Sequence, residues 1–250
     1  METYLPSPFD FLYWQEIEKS FLLKKALTFP KCVELNITGR EEFKCNYNNE
    51  IDIFTLERVL EELSKINLEW LVLGNKNEIF LHKSIYSFFK LLKKFKLKIY
   101  SLKSNALYLN RIEITDLFDT VKKNLFIKKK NQIKSYEEEI FEENIQKLIT
   151  YKKSKNLIKP DIYILKDDLQ EEIEIYQGEI KLIKHFNYCL PELKNYLPFF
   201  FLSIDKNGFC YTSENYVKPI SSIFFNSIKK IWVSKEIKKI RKWNGNCSNN

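Results

Sequence analysis

Apolar and polar residues follow two rhythms along this 250-residue chain. Cys32-Val-Glu-Leu-Asn-Ile-Thr38 alternates with a period of two and reads as a strand. A polar loop follows, from Gly39 to Glu50. Leu56, Val59, Leu60, Leu63 and Ile66 then fall at helical spacing, which predicts a helix over 54–66. Glu69-Trp-Leu-Val-Leu73 is a short apolar run closed by Gly74, the signature of a buried strand. The same succession continues with a helix over 82–95 and a strand over 97–102. A strand near 119–125, a strong helix over 136–153 and a strand over 161–165 after Pro160 come next. A short helix over 168–176 and a strand near 180–186 complete the series.

Strands and helices that alternate with short connections form βαβ units on a parallel sheet. Six such strands predict an α/β fold, a partial (β/α)6 parallel barrel. Ligands of parallel sheets sit at the carboxyl ends of the strands, so the loops after Thr38, Leu73 and Leu102 become the places of interest. Residues 1–30 are expected to form a helical lead-in, with Phe11, Trp14, Ile17, Phe21 and Leu22 on one face. The barrel is assigned to 31–190. Residues 191–250 are assigned to a small α+β appendage. Its strands, 199–203 and 209–212, flank the turn Asp205-Lys-Asn-Gly208, and two short helices over 222–232 and 235–243 follow.

Composition narrows the functional classes. At 44% hydrophobic and 30% charged residues, the chain is expected to fold. A net charge of +8 raises nucleic acid as a partner, but all the arginines are Arg40, Arg58, Arg111 and Arg241. Base readout and bidentate phosphate contacts favour Arg over Lys, so lysine enrichment of this kind fits an AT-biased coding sequence better than a nucleic-acid surface. A basic nucleic-acid or anionic-surface binder using 229–242 stays as an alternative. The longest apolar stretch, Leu197–Leu202, falls far short of the roughly 20 residues of a membrane span. The opening residues lack a basic and an apolar signal region, so the expected location is cytoplasmic and no membrane partner is expected. Five cysteines, an odd number without a CxxC pair, give neither a disulfide framework nor a zinc site.

Three consecutive loops carry a resemblance. Val33-Glu-Leu-Asn-Ile-Thr-Gly-Arg-Glu-Glu-Phe-Lys-Cys-Asn-Tyr-Asn48 resembles the opening of radical SAM enzymes, where a first strand runs into a Cys-x3-Cys-x2-Cys loop. The three ligand positions then fall at Glu41, Cys45 and Asn48. Leu71-Val-Leu-Gly-Asn-Lys-Asn-Glu-Ile-Phe-Leu-His82 resembles the family's Gly-Gly-Glu-Pro element at the end of the second strand. Gly74 and Glu78 are retained there, and Asn75 and Asn77 stand where small residues are usual. Ser104-Asn-Ala106 resembles a Thr-Asn-Gly turn after the third strand. The C-terminal part is similar to a SPASM or twitch extension: 197–213 matches its hairpin, 218–232 its following segment, and Cys247-Ser-Asn-Asn250 its tail. On that alignment Asn195, Ser213 and Asn250 occupy cluster-ligand positions, and Cys247 remains.

The resemblance implies a radical SAM-type barrel whose standard [4Fe–4S] cluster and SAM would be held at those positions. One thiolate in three departs from the pattern, because iron–sulfur clusters select soft thiolate ligands. The expectation is a pseudoenzyme or partner-binding subunit with no cofactor, no catalytic residue and no metal. Its partner would be an intact radical SAM relative or another protein of its pathway. Gly74, Asn75, Glu78 and Asn105 are the expected remnants of the SAM cleft. A true family enzyme, with an atypical cluster or other chemistry in the barrel mouth, is the alternative, bringing SAM and [4Fe–4S] if the family function survives.

Overall fold

In the computed structural model, the described residues are 14–39, 50–74, 77–129, 134–165, 173–174, 193–212 and 218–244. The elements run α1 (Trp14–Leu22), β1 (Cys32–Leu35), α2 (Ile53–Ser64), β2 (Trp70–Leu73), α3 (Ile85–Lys94), β3 (Ile99–Ser104), α4 (Ile114–Thr120), β4 (Val121–Lys128), α5 (Ser135–Ser154) and β5 (Asp161–Leu165). They continue with β6 (Ile173–Glu174), α6 (Leu193–Phe200), β7 (Phe201–Ile204), β8 (Phe209–Tyr211), β9 (Ser221–Ser222), α7 (Ile228–Trp232) and α8 (Lys235–Asn244). Two single-turn 3-10 helices, Ile79–Leu81 and Leu109–Arg111, follow β2 and β3.

One sheet carries all nine strands in the order β6-β5-β4-β3-β2-β1-β7-β8-β9. The strands from β5 through β7 are mutually parallel, and β6, β8 and β9 add antiparallel edges. The sheet is therefore α/β and open, as a partial barrel requires. The parallel arrangement of β1, β2 and β3 matches the sequence expectation. So do the helices over 54–66 and 82–95, within a few residues.

The outer helices form where the apolar spacing dictates. Leu56, Val59, Leu60 and Leu63 bury one face of α2, and Asp52 caps its start by accepting from the N–H groups of Phe54 and Thr55, each at 3.0 Å. Ile85, Phe88, Phe89 and Leu92 do the same for α3. These faces pack on Val33, Leu35, Leu71, Leu73 and Leu102 of the sheet to make the main core. On the other side of the sheet, Ile17 of α1 and Leu197 and Phe200 of α6 cover Cys32, Trp70, Val72 and Tyr100. The amino-terminal end of the concave face is thus plugged by the lead-in helix and α6.

Three stretches differ from the sequence expectation. The helix expected over 222–232 starts only at Ile228, because Ser221–Ser222 pairs with β8 as a strand and Ser227 caps the helix that follows. The helix expected over 168–176 meets a strand at Ile173–Glu174, antiparallel to β5. The strand expected from Phe199 starts at Phe201, because α6 runs through Pro198 to Phe200. The strand expected near 180–186 lies outside the described residues.

Arg241 pins the C-terminal helices together. It is buried, its Nε donates to Pro198 O at 2.8 Å and its Nη1 to Trp232 O at 3.1 Å, and its guanidinium lies 4.4 Å from the centre of the Trp232 ring. Burial pulls its pKa down to about 10. A compact ammonium cannot bridge both carbonyls and also stack. Arg241→Lys is expected to cost about 2 kcal/mol of stability, read as a shift of the urea unfolding midpoint at unchanged slope.

Candidate functional site at the carboxyl ends of the central strands

The strand ends are built from close backbone approach. Gly74 closes β2 with φ +80°, and a Cβ there would lie 2.0 Å from the carbonyl oxygen of Lys103 on β3. Only glycine lets the chain turn here against its neighbour. Beyond β1, the chain bridges Thr38 to Glu50, and Ile51 N donates to Ile37 O at 3.0 Å. Asn77 spans the gap between the two strand ends by donating from Nδ2 to Thr38 O at 2.8 Å. The crevice between Asn36, Thr38, Gly74, Asn77 and Ile79 has no room for a water molecule.

Glu78 is the chemical centre of this end. It is 8% exposed. Its Oε1 accepts from Phe80 N at 3.1 Å, its Oε2 accepts from Asn105 N at 2.6 Å, and the Ser104 hydroxyl lies 3.1 Å from both oxygens. Ser104 Oγ in turn accepts from Ala106 N at 3.0 Å, and Asn105 Oδ1 accepts from Leu107 N at 2.9 Å. The acid knits the loop after β2 to the turn after β3. Burial pushes its pKa up to about 7, against hydrogen bonds from Asn105, Phe80 and Ser104 that pull it down.

The structure brings Gly74, Glu78 and Asn105 to the same end of the sheet, and Glu78 accepts a hydrogen bond from the Asn105 N–H. Asn75, Glu41, Cys45, Asn48, Ser213, Cys247 and Asn250 lie outside the described residues. His82 sits next to this end, fully buried. Its Nε2 lies 2.8 Å from Ile51 O and 3.7 Å from the buried Glu50 carboxylate, and its Nδ1 accepts from Ser84 N at 3.1 Å.

Sequence reasoning passed over the concave face. Register places Ser203, Glu34, Val72, Ser101, Asn124 and Asp161 in one row across β7, β1, β2, β3, β4 and β5. Barrel interiors are normally filled with branched apolar residues, so a row with a single apolar member marks a place built for polar contacts. Glu34 is fully buried, and its Oε2 accepts from Ser203 Oγ at 2.6 Å. Nearby on the same face, Lys123 Nζ donates to Tyr100 Oη at 2.6 Å, and Phe126 stacks on Tyr163 with 5.0 Å between ring centres. The signal was present in the sequence: with Val33, Leu35 and Ile37 on one face of β1, the opposite face carries Cys32, Glu34, Asn36 and Thr38. A strand buried on both sides has no ordinary reason to be polar on one of them.

The cofactors implied by the sequence resemblance can be tested against these groups. On the alignment implied by the resemblance, Glu41, Cys45 and Asn48 would offer one carboxylate, one thiolate and one neutral amide, where a site-differentiated [4Fe–4S] cluster takes three thiolates. Among the described residues, no three His, Cys, Asp or Glu side chains converge as metal ligands. Cys32 and Cys210 are buried, and burial raises the Cys210 thiol to about 12, so it does not supply a thiolate. Among the described residues, Asn77 bonds across the crevice to Thr38 and Glu78 is turned onto Asn105. Among the described residues, no helix is long and apolar enough to cross a membrane.

No family model matches the sequence, and no curated protein matches it. Solved structures do. The structure of BtrN in complex with AdoMet and 2-DOIA aligns with a TM-score of 0.61 at 13% identity, over 88% of this chain and 90% of that one. BtrN in an open conformation gives 0.56 at 12% identity, over 86% of each chain. Streptococcus suis SuiB bound to the precursor peptide SuiA gives 0.51 at 12% identity, over 96% of this chain and 73% of that one. At these identities the likeness speaks for the fold alone. Both neighbours are radical SAM enzymes, and the open, mostly parallel sheet described above is the radical SAM fold.

Proposed function

We propose that this chain is a radical SAM-type barrel over 31–190 after a lead-in over 1–30, and that 191–250 is a SPASM- or twitch-like appendage apart from β7, which extends the barrel's parallel sheet beside β1. On this reading it has exchanged cluster-dependent catalysis for binding. Its partner is a catalytically intact relative or another protein of the same pathway. The observation that carries this reading is the mouth of the barrel. Asn77 bonds across the crevice to Thr38, and Glu78 is held by Ser104, Asn105 and Phe80. The donor set Glu41, Cys45 and Asn48 supports it from the sequence side.

Iron content after anaerobic reconstitution tests it. The natural chain is expected to bind no stoichiometric iron. Glu41→Cys with Asn48→Cys is expected to gain iron, and Cys45→Ala added to that pair is expected to abolish the gain. Iron bound by the unmodified chain, removed by Cys45→Ala alone, would overturn the reading. A second reading, catalysis in the barrel mouth, draws on the polar row containing Glu34 and Ser203. Tight SAM binding by calorimetry would favour it, and its absence would favour the first.

A further inference from the structure

A cavity of about 190 Å3 lies outside the barrel, between α4, α5 and the turn that follows β3. Its walls are mostly apolar, with Leu109 and Ile112 from the turn, Ile114 and Leu117 from α4, and Leu148 from α5, and Asn110 and Lys147 stand at the rim. The space is a cleft about half open to solvent, and its volume compares with the about 150 Å3 of an apolar cavity that takes benzene. This space is therefore of ligand size.

Asn144 supplies the polar element. It lines the cavity, is 5% exposed, and its Nδ2 donates to Ala106 O at 2.8 Å. That bond fixes which way the amide lies, and among the described residues its Oδ1 accepts nothing from the protein. The other amide on the lining, Asn110, is exposed to solvent, so Asn144 is the buried, oriented acceptor, and it selects a ligand with one N–H or O–H donor. Lys147 at the rim is held by Glu143 at 2.8 Å, so it is not a free anion anchor.

The cavity also connects to the barrel mouth. Ala106 has φ +64°, a left-handed conformation that a non-glycine residue adopts at a cost. It is kept there by Asn144 on its carbonyl and by Ser104 Oγ on its N–H, and Ser104 is bonded to Glu78. A continuous chain of hydrogen bonds thus runs from the cavity wall to the carboxylate that joins the two loops.

We propose that the space between α4 and α5 is a binding site for a small neutral aromatic carrying one N–H or O–H donor, of phenol or indole size. The ring packs among Leu109, Ile112, Leu117 and Leu148, and the donor bonds to Asn144 Oδ1. Occupancy stabilises the turn after β3 and with it the arrangement of the barrel mouth, as any ligand specific to the native state does. The site is independent of whether the mouth binds SAM, a partner or neither.

Phenol and toluene, matched in size, test it on the full chain. Thermal unfolding should shift upward with phenol in a saturable way. Phenol should bind about fivefold more tightly than toluene, the effect of one net hydrogen bond. Ile114→Trp, placed where α4 meets the cavity, should fill it and abolish the shift. Should that variant fail to fold, crystals of the natural chain soaked in 4-bromophenol provide the same decision, with a bromine peak expected between α4 and α5. No saturable shift, a shift that survives Ile114→Trp, equal affinity for toluene, or bromine found only elsewhere would each overturn the proposal.

Discussion

Gly74→Ala is expected to cost at least ~3 kcal/mol of stability, and the variant is expected to accumulate as insoluble protein. The added carbon would sit 2.0 Å from the Lys103 carbonyl oxygen, on a residue with φ +80°. That oxygen is backbone of β3, which pairs with β2 on one side and β4 on the other, so it has little freedom to retreat. Strain in φ alone would cost about 1 kcal/mol, and the remainder is the clash. The clean comparison is Gly208→Ala. That glycine also has positive φ, at +73°, but its new carbon would meet the side chains of Phe224 and Ile223, and the Phe224 ring is half exposed and able to swing away. Denaturant unfolding of the two variants should rank Gly74→Ala well below Gly208→Ala. A loss under 1 kcal/mol at Gly74 would mean that β2 and β3 are farther apart than described.

Glu78→Ala is expected to be nearly as severe, at roughly 3–5 kcal/mol, because it strands the N–H groups of Asn105 and Phe80 and the Ser104 hydroxyl in a buried place. Glu78→Gln separates charge from shape. The folded-state pKa of Glu78 is raised from 4.5 to about 7. The native state therefore holds its proton more tightly than the unfolded chain does. The stability this proton contributes is present in full below about pH 4.5 and is lost as the pH rises to about 7, by roughly 3 kcal/mol at most. Gln carries no such proton. The difference in unfolding free energy between the natural chain and Glu78→Gln should thus drift in favour of Gln between pH 4.5 and 7 and be flat on either side. A difference that does not change with pH would show that the hydrogen bonds, and not burial, set the ionisation of this acid.

The sequence was most informative where a periodic signal met a hydrophobic face. The spacing of Leu56, Val59, Leu60 and Leu63 can serve only a helix with one buried side, and α2 has that side against β1 and β2. Partners across the sheet are another matter. Alternation identifies a strand but says nothing of its neighbour, and nothing local in Phe201–Ile204 announces a place beside β1. Apolar runs without a period are ambiguous in the same way. Leu197–Leu202 divides between α6 and β7, and its apolar character is the same on both sides of the junction.

Of the candidate site, Gly74, Glu78 and Asn105 were legible through the spacing of their loops behind three strands. Their bonding to one another was not, because it depends on the twist and stagger of the strands that carry them. Glu34 could have been found from β1 alone, as an acid on the second face of a strand that a parallel sheet buries twice. Asn77 could not, because a loop asparagine has no pattern that points at a carbonyl 39 residues away.

The pairing of β1 with β7 also sets an order of events during synthesis. Glu34 and Ser203, which meet across it, are 169 residues apart in the chain. With translation adding about 5–20 residues per second, the free edge of β1 waits on the order of ten seconds before its neighbour emerges. During that time the βαβ units that follow can already assemble on the opposite edge, since their contacts are short in sequence. The nascent chain thus carries an open, apolar strand edge, the kind that templates pairing with other chains. Its solubility in that interval rests on whatever covers the edge from outside the fold, such as a holding chaperone or the ribosome surface. Slow decoding between the codons for β5 and β7 would lengthen the exposure, and a circular permutant that begins at α6 would remove it.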